Sequence, residues 1–415
     1  MNKILVEGGK RLVGEVEIGG SKNAALPVLL GGIVTGGSCV FSNLPRVSDV
    51  LRALEILKVL GARICFLAGG EVRIDYGTVG DRLPPAELCG NIRGSTYLLG
   101  AMLARFGRAV LPRSGGCDFG ARPIDQHLLG FSELGATVSE RADGVEIVAK
   151  ALRGKRIRLA MPSVGATANL MLAATAATGE TVIENAAAEP HVAALADFLQ
   201  TAGAEIRGVG TGCITVVGAR PLGGVRWRVI PDMIEAGTYL CLGAACGGPV
   251  RVSSVVPQQL EAQLSAFSQM GIEVKKGDDW ISASAPNGYD NIALETGPYP
   301  ALPTDLHPQS VALLALGRGV GRMTERVFAD RFRYLEGLRR MGADVRVSGR
   351  TATVHPTPLH AERLIATDLR GGAALLIAAL ATKGKSEILN ADQLGRGYEH
   401  LEQKLRALGA CVSIN

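Results

Sequence analysis

The chain has 415 residues, 47% hydrophobic, 20% charged and only 4% aromatic, with 54 glycines and a formal charge of +5. That length calls for two domains rather than one core, and the composition is that of a compact protein, not a disordered one. Lys and Arg are scattered singly without interleaved aromatics, which argues against a nucleic-acid partner, and the longest apolar run, AALLIAALA from Ala373, is too short to span a membrane.

The chain opens with MNKILVEGG, which reads as a strand and not as a signal peptide, so a cytoplasmic protein is expected. The eight cysteines contain no CxxC pair and no Cys/His cluster at zinc spacing, so neither a disulfide framework nor a metal site is expected.

After GGSKN comes an apolar helix, AALPVLLGGIV, then a strand in CVFSNLP, an amphipathic helix in VLRALEILKVL, and further strands. The pattern returns along the chain. The apolar helices are TYLLGAMLARF, TANLMLAATAA, AGTYLCLGAAC, QSVALLALGRG and GGAALLIAALA. The amphipathic helices end in ELGATV, TAGAEI, QMGIEV, RMGADV and ALGACV, matching VLGARI in the first copy. The glycines of these endings, Gly61, Gly135, Gly203, Gly271, Gly342 and Gly409, stand 67 to 74 residues apart, each where a helix C-cap ahead of a strand belongs.

Each unit therefore reads strand, apolar helix, strand, amphipathic helix, strands. A helix with so little polar face has to be covered on nearly all sides, so three units would pack their apolar helices inside with sheets around them. The expectation is an α/β chain of two domains with three βαβαββ-type units each.

The residues ahead of the apolar helices are Ser21-Lys22-Asn23, Asn91-Ile92-Arg93, Ser163-Val164-Gly165, Asp232 to Glu235, Thr304-Asp305 and Asp368-Leu369-Arg370. Ahead of the amphipathic helices stand Cys117 to Arg122, Glu189, Arg331 and Arg396. Helix N-termini already favour anions, so Lys22, Arg93, Arg122, Arg331, Arg370 and Arg396 occupy positions where folding asks for no cation. A shared, multiply anionic ligand is one reading; solvated or salt-bridged surface residues are the other. The segment SGGCDFGARPID sets the thiol of Cys117 among Gly115, Gly116 and Gly120, unlike the apolar surroundings of a structural cysteine.

Together GGSKNAALP, SGGCDFGARPIDQH, MPSVGATANLMLAA, IENAAAEPH, IPDMIEAGTY, PTDLHPQ, TERVFADRFRYLEGLRRMGAD, ATDLRGGAALLIAAL and RGYEHLEQKLRALGA resemble the UDP-N-acetylglucosamine 1-carboxyvinyltransferase family of enolpyruvyl transferases, in order and over essentially the whole chain. The resemblance implies two inside-out α/β domains with a pseudo-threefold arrangement of repeats, residues 21–229 and residues 1–20 plus 230–415, with the active site in the cleft. It implies transfer of the enolpyruvyl group of phosphoenolpyruvate to the 3'-hydroxyl of UDP-N-acetylglucosamine, the first committed step of peptidoglycan synthesis. No cofactor is implied, the partners are these two small substrates, and a monomer is expected.

The resemblance places Lys22, Arg122 and Arg396 around phosphoenolpyruvate, with Arg331 and Arg370 in support. It places Asn23, Arg93 and Ser163, Val164 and Gly165 toward the nucleotide sugar. Pro123, Ile124, Asp125, Gln126, His127, Val327 and Asp368 join the implied binding residues. Asp305 is the implied base, although PTD alone reads equally well as a helix N-cap. Cys117 is the implied proton donor and the site alkylated by the epoxide fosfomycin, with Arg122 lowering and Asp118 raising its pKa. Ala188, Met233, Gln393 and Gly395 depart from the polar residues usual in the family, and Asp118 and Phe119 from its loop. Two further readings remain: an enolpyruvyl transferase with another acceptor, such as UMP or shikimate 3-phosphate, and a non-catalytic protein that binds sugar nucleotides.

Overall fold

The six glycines expected to end helices all have positive φ, from +78° at Gly271 to +111° at Gly203, in the computed structural model, which describes residues 3–112, 124–141 and 144–415. A Cβ is strained in that region and glycine is not, so every repeat stops its amphipathic helix by the same means. The helix Ser48–Leu60 shows the pattern. Val50, Ala53, Leu54, Ile56, Leu57 and Leu60 are buried, Leu51 and Val59 stay exposed, and Gly61 follows.

The chain divides into two compact units. The central unit is Gly20–Ile230; the terminal unit joins Met1–Gly19 to Pro231–Asn415. Each has its own hydrophobic core and three sheets among the described residues. In the terminal unit the helices Met233–Ala245, His307–Leu316 and Leu369–Ala381 pack on one another. The last is buried at every residue from Leu369 to Leu380, as a helix without a polar face requires.

In the central unit Lys22–Gly31, Leu98–Phe106 and Val164–Ala174 take the same part. Here the backbones come close: a Cβ on Gly100 would lie 2.4 Å from the main-chain oxygen of Asn169. Any larger residue at Gly100 would push these two helices apart.

The sheet Gly14–Glu17, Val250–Ser253, Trp280–Ser284, Glu273–Lys276 shows the shared topology, its first pair parallel and the others antiparallel. Strand Lys3–Gly8 lies antiparallel between Gly384–Leu389 and Cys411–Ile414, with Ile4 opposite both Ile388 and Ile414. It fills the place that the strand Trp280–Ser284, from within its own repeat, holds in the first sheet.

The second repeat departs from the expected unit. Its sheet has three described strands, Arg108–Pro112, Gly144–Val148 and Thr137–Arg141. Ahead of its apolar helix stand a short helix, Ala86–Asn91, and a 3-10 turn, Arg93–Tyr97, in place of a leading strand. Pro84 and Pro85 account for this, since neither can donate a hydrogen bond to a ladder. No described helix is long and apolar enough to cross a membrane.

Candidate active site

In the terminal unit, Pro303 leads into a 3-10 turn, Thr304–Leu306, and that turn into the buried helix His307–Leu316. The turn sets Asp305 at the mouth of the helix without using it as a cap. Its Oδ1 accepts from Nη2 of Arg331 at 3.0 Å, and its Oδ2 from Nη2 and Nε of Arg370 at 3.1 and 3.3 Å. Both guanidinium side chains are nearly inaccessible, 2% and 4% exposed, while the Asp305 side chain is 28% exposed. Burial works against the charge of Arg370, but the facing Asp305 carboxylate, with Tyr398 and Asp232, overcomes it and holds the guanidinium above its ordinary pKa. The result is a part-exposed carboxylate fixed by two buried cations.

The neighbouring loop is anchored by Glu325, a fully buried carboxylate. Its Oε1 accepts from the backbone N–H of Val327 and Phe328 at 2.7 and 3.0 Å, and its Oε2 from Thr304 Oγ1 at 2.9 Å. One side chain thereby ties Val327 to the turn that carries Asp305. The Val327 N–H is thereby engaged.

Asp368 is the N-cap of Leu369–Ala381. Its Oδ1 accepts from the N–H of Arg370 and Gly371, and its Oδ2 from Thr367 Oγ1. It sets the start of the helix that carries Arg370. Arg396 ends the 3-10 turn Ala391–Arg396, half-buried, and donates from Nη1 to Gln393 Oε1 at 3.3 Å. Gln393, one of the departures from the family pattern, therefore supplies a polar partner to Arg396. Met233 opens its helix and packs against the core.

In the central unit Ser21 caps Lys22–Gly31 by accepting from Ala24 N. Lys22 Nζ lies 3.2 Å from Asp49 Oδ2, with the two side chains 12% and 4% exposed. Asn23 is half-buried in the first turn of the same helix. Ser163 caps Val164–Ala174 through Ala166 N, which places Val164 and Gly165 in its first turn. Arg93 opens the 3-10 turn and is half-buried.

Ile124 and Gln126 are half-buried and Asp125 exposed at the start of Asp125–Glu133; Gln126 Oε1 accepts from Met161 N. Cys117, Asp118, Phe119, Arg122 and Pro123 lie outside the described residues. Ala188 is half-buried just ahead of Pro190–Thr201.

His127 is buried and meets Asn169 Nδ2 through Nδ1 at 3.0 Å. Asn169 Oδ1 accepts from the N–H of Gly100 at 2.7 Å, so its amide nitrogen has to donate, and His127 Nδ1 has to accept. The ring proton then sits on Nε2. Burial, with the charge of Arg93 adding to it, lowers the His127 pKa to about 4, which keeps the imidazole neutral. A Cβ at Gly165 would lie 3.0 Å from Nε2, so glycine is what lets the ring approach this helix start.

The expectation that folding asks for no charge at these positions needs correcting for three of the six cations. Lys22, Arg331 and Arg370 each have a carboxylate partner in their own unit. Arg331 and Arg396 stand, as expected, in turns ahead of the helices Leu335–Arg340 and Leu401–Ala407. Asp49, Asn169, Glu325 and Tyr398 were not singled out from the sequence; Asp49, Asn169 and Tyr398 have partners distant in the chain, and Glu325 joins its two neighbours Val327 and Phe328 to the distant Thr304. Asp49 does carry one signal, an acidic residue in a helix's first turn that lies on its buried side.

The sequence matches the family EPSP synthase (3-phosphoshikimate 1-carboxyvinyltransferase) over residues 6–405. UDP-N-acetylglucosamine 1-carboxyvinyltransferase 3 of Caldanaerobacter subterraneus subsp. tengcongensis is 44% identical over 413 residues, 99% of either chain. UDP-N-acetylglucosamine 1-carboxyvinyltransferase 2 of Staphylococcus aureus is 41% identical over 410 residues, 99% of this chain and 98% of its own. Among solved structures, the enolpyruvyl transferase NikO from Streptomyces tendae aligns with a TM-score of 0.90 at 26% identity, over 100% of this chain and 99% of that one. EPSP synthase from Acinetobacter baumannii aligns over the whole of both chains with a TM-score of 0.75 at 18% identity, a likeness of fold.

Proposed function

Because the chain belongs to the EPSP synthase family of enolpyruvyl transferases, we propose that it transfers the enolpyruvyl group of phosphoenolpyruvate to the 3'-hydroxyl of UDP-N-acetylglucosamine and releases phosphate. Relatives with that printed name match end to end at 41 to 44% identity. The observation that carries the chemistry is Asp305, a part-exposed carboxylate fixed by Arg331 and Arg370 rather than used as a cap.

Addition needs a proton on the methylene carbon of phosphoenolpyruvate while the sugar oxygen bonds to its C2. Elimination then takes a proton back from the new methyl group as the C2–O bond to phosphate breaks. Asp305 receives the hydroxyl proton of the acceptor, and Cys117 delivers one to the methylene carbon. Such acid and base steps contribute about 10²- to 10⁴-fold each.

Lys22, Arg122 and Arg396 hold the phosphate and carboxylate of the donor. Arg suits this by offering paired donors to a planar or tetrahedral anion. Neutral His127, with its Nε2 proton, and Arg93, Asn23 and the Ser163 helix start bind the acceptor, whose diphosphate suits a helix N-terminus. Pro123, Ile124, Asp125, Gln126 and Val327 complete the acceptor contacts, and Asp368 acts through the helix start of Arg370. The enzyme acts in the cytoplasm as a monomer, without a metal.

The test is phosphate release from phosphoenolpyruvate with UDP-N-acetylglucosamine, beside parallel reactions with UMP and shikimate 3-phosphate, with product mass in each. Release with the sugar nucleotide and a carboxyvinyl mass gain supports the reading. Release with UMP alone moves the protein to another acceptor, and binding without release in all three reactions leaves a binding protein.

A further inference from the structure

The guanidinium of Arg370 has two occupied edges. Nε and Nη2 face Asp305; Nη1 faces the hydroxyl of Tyr398 at 3.4 Å, with the guanidinium carbon 5.7 Å from the centre of the Tyr398 ring. Tyr398 is 3% exposed and lies after the turn that carries Arg396. Its oxygen also meets Thr238 Oγ1 at 3.0 Å and Gln309 Nε2 at 3.3 Å. Thr238, Gln309 and Arg370 come from the three core helices of the terminal unit, Met233–Ala245, His307–Leu316 and Leu369–Ala381. One phenol thus joins all three helices at one buried polar point.

The direction of each bond follows from counting protons. Thr238 Oγ1 donates to the carbonyl of Ile234 at 2.7 Å, so it has only lone pairs left. Gln309 Nε2 donates one hydrogen to Thr238 at 3.0 Å and one to Tyr398. The Tyr398 proton therefore points at Thr238, which leaves the phenol oxygen free to accept from Arg370. Gln309 Oε1 is buried without a partner among the described residues. The core carries that unsatisfied oxygen while the amide nitrogen serves both hydroxyls, which a purely apolar packing of three helices would avoid.

We propose that Tyr398 is a positioning residue: its hydroxyl, oriented by Thr238 and Gln309, fixes the rotation of the Arg370 guanidinium and thereby the direction in which Asp305 presents its carboxylate. The role rests on the enolpyruvyl-transfer reading, in which Asp305 takes the acceptor proton. It adds that the base is aimed from the core through Tyr398, Thr238 and Gln309.

The experiment pairs Tyr398→Phe with Thr238→Ser and Thr238→Val, each assayed by phosphate release with UDP-N-acetylglucosamine and each solved crystallographically. In Tyr398→Phe, kcat should fall about ten- to a hundredfold, the effect of misplacing a reacting group by about 1 Å, with both KM values within threefold. Arg370 should turn away from the contacts at 3.1 and 3.3 Å to Asp305. Thr238→Ser, which keeps the hydroxyl, should retain wild-type kcat, and Thr238→Val should repeat the loss. Unchanged kcat with a lowered melting temperature, or a raised KM at constant kcat, would overturn the proposal, as would an Asp305–Arg370 pair left in place in Tyr398→Phe. If the wild type itself releases no phosphate, the reaction has been misread, and the crystallographic comparison still decides whether Tyr398 positions Arg370.

Discussion

Asp305 Oδ1 lies 3.0 Å from Nη2 of Arg331, a side chain only 2% exposed. Arg370 meets the other carboxylate oxygen. Replacing one partner of a fully buried ion pair costs about 3–5 kcal/mol, because the other charge is left unpaired. Asp305 is 28% exposed, so water screens part of that loss.

Asp305→Asn keeps the shape and removes the base. Turnover is expected to fall by about 10²- to 10⁴-fold, with KM for phosphoenolpyruvate changed by less than about fivefold, because the proton that Asp305 takes comes from the acceptor and not from phosphoenolpyruvate. The melting temperature should drop by several degrees. Steady-state kinetics and a thermal melt on the same preparation check both parts; a raised KM at constant kcat would assign Asp305 to binding alone.

Glu325 separates charge from geometry. In Glu325→Gln the amide oxygen still accepts from Val327 and Phe328 and the amide nitrogen turns to Thr304, so stability should change by less than about 1 kcal/mol. In Glu325→Ala those two N–H groups and one hydroxyl lose their acceptor in a buried site, at about 1–3 kcal/mol for each group left unsatisfied. Denaturant unfolding of the two variants should order them in that way, and equal losses would show that the negative charge itself is what the loop needs.

His127 links the central unit to pH. Its pKa is about 4 in the folded chain, against about 6.5 when unfolded, so the unfolded chain binds the extra proton between those values. The stability that neutral His127 contributes is complete above pH 6.5 and is lost as pH falls toward 4, by at most about 1.4 kcal/mol per pH unit. Buried His307, lowered to about 3, acts in the same direction, whereas Glu235, pushed up to about 7 by burial, acts in the opposite one. Both contributions are shared with His127→Gln and cancel in the difference. Wild type should exceed His127→Gln in unfolding free energy at pH 7.5, and the gap should narrow steadily down to pH 4.5. A gap independent of pH would mean that His127 titrates normally.

Cys117 carries the loop reading. Thiolate attack on an epoxide carbon of fosfomycin breaks the ring C–O bond, and the resulting alkoxide takes up a proton. The wild type should therefore lose activity with time in fosfomycin and gain the inhibitor's mass at Cys117. Cys117→Ser should show neither, and time-dependent inactivation of that variant would contradict the assignment.

The repeats were legible because they rest on short-range rules. A glycine with positive φ after an amphipathic stretch and an apolar run that needs cover on every side can both be read within about twenty residues. The missing strand of the second repeat was marked by Pro84 and Pro85, which a reading guided by the other five repeats passed over. Asp305 was visible in type but not in role, since PTD supports a cap and a base equally. What separates the two is Arg331 and Arg370, which lie 26 and 65 residues away. Tyr398 gave no signal for the same reason: a buried polar residue is recognised by its partners, and Thr238, Gln309 and Arg370 belong to other elements.

Phosphoenolpyruvate labelled with oxygen-18 at the bridge between C2 and phosphorus distinguishes carboxyvinyl transfer from phosphoryl transfer in one reaction with UDP-N-acetylglucosamine. Carboxyvinyl transfer breaks the C2–O bond, so the label should leave in inorganic phosphate while the sugar nucleotide gains an unlabelled enolpyruvyl ether. Label retained on the three-carbon product, with unlabelled phosphate released or transferred, would mean that the P–O bond breaks and would contradict the mechanism assigned to Asp305 and Cys117.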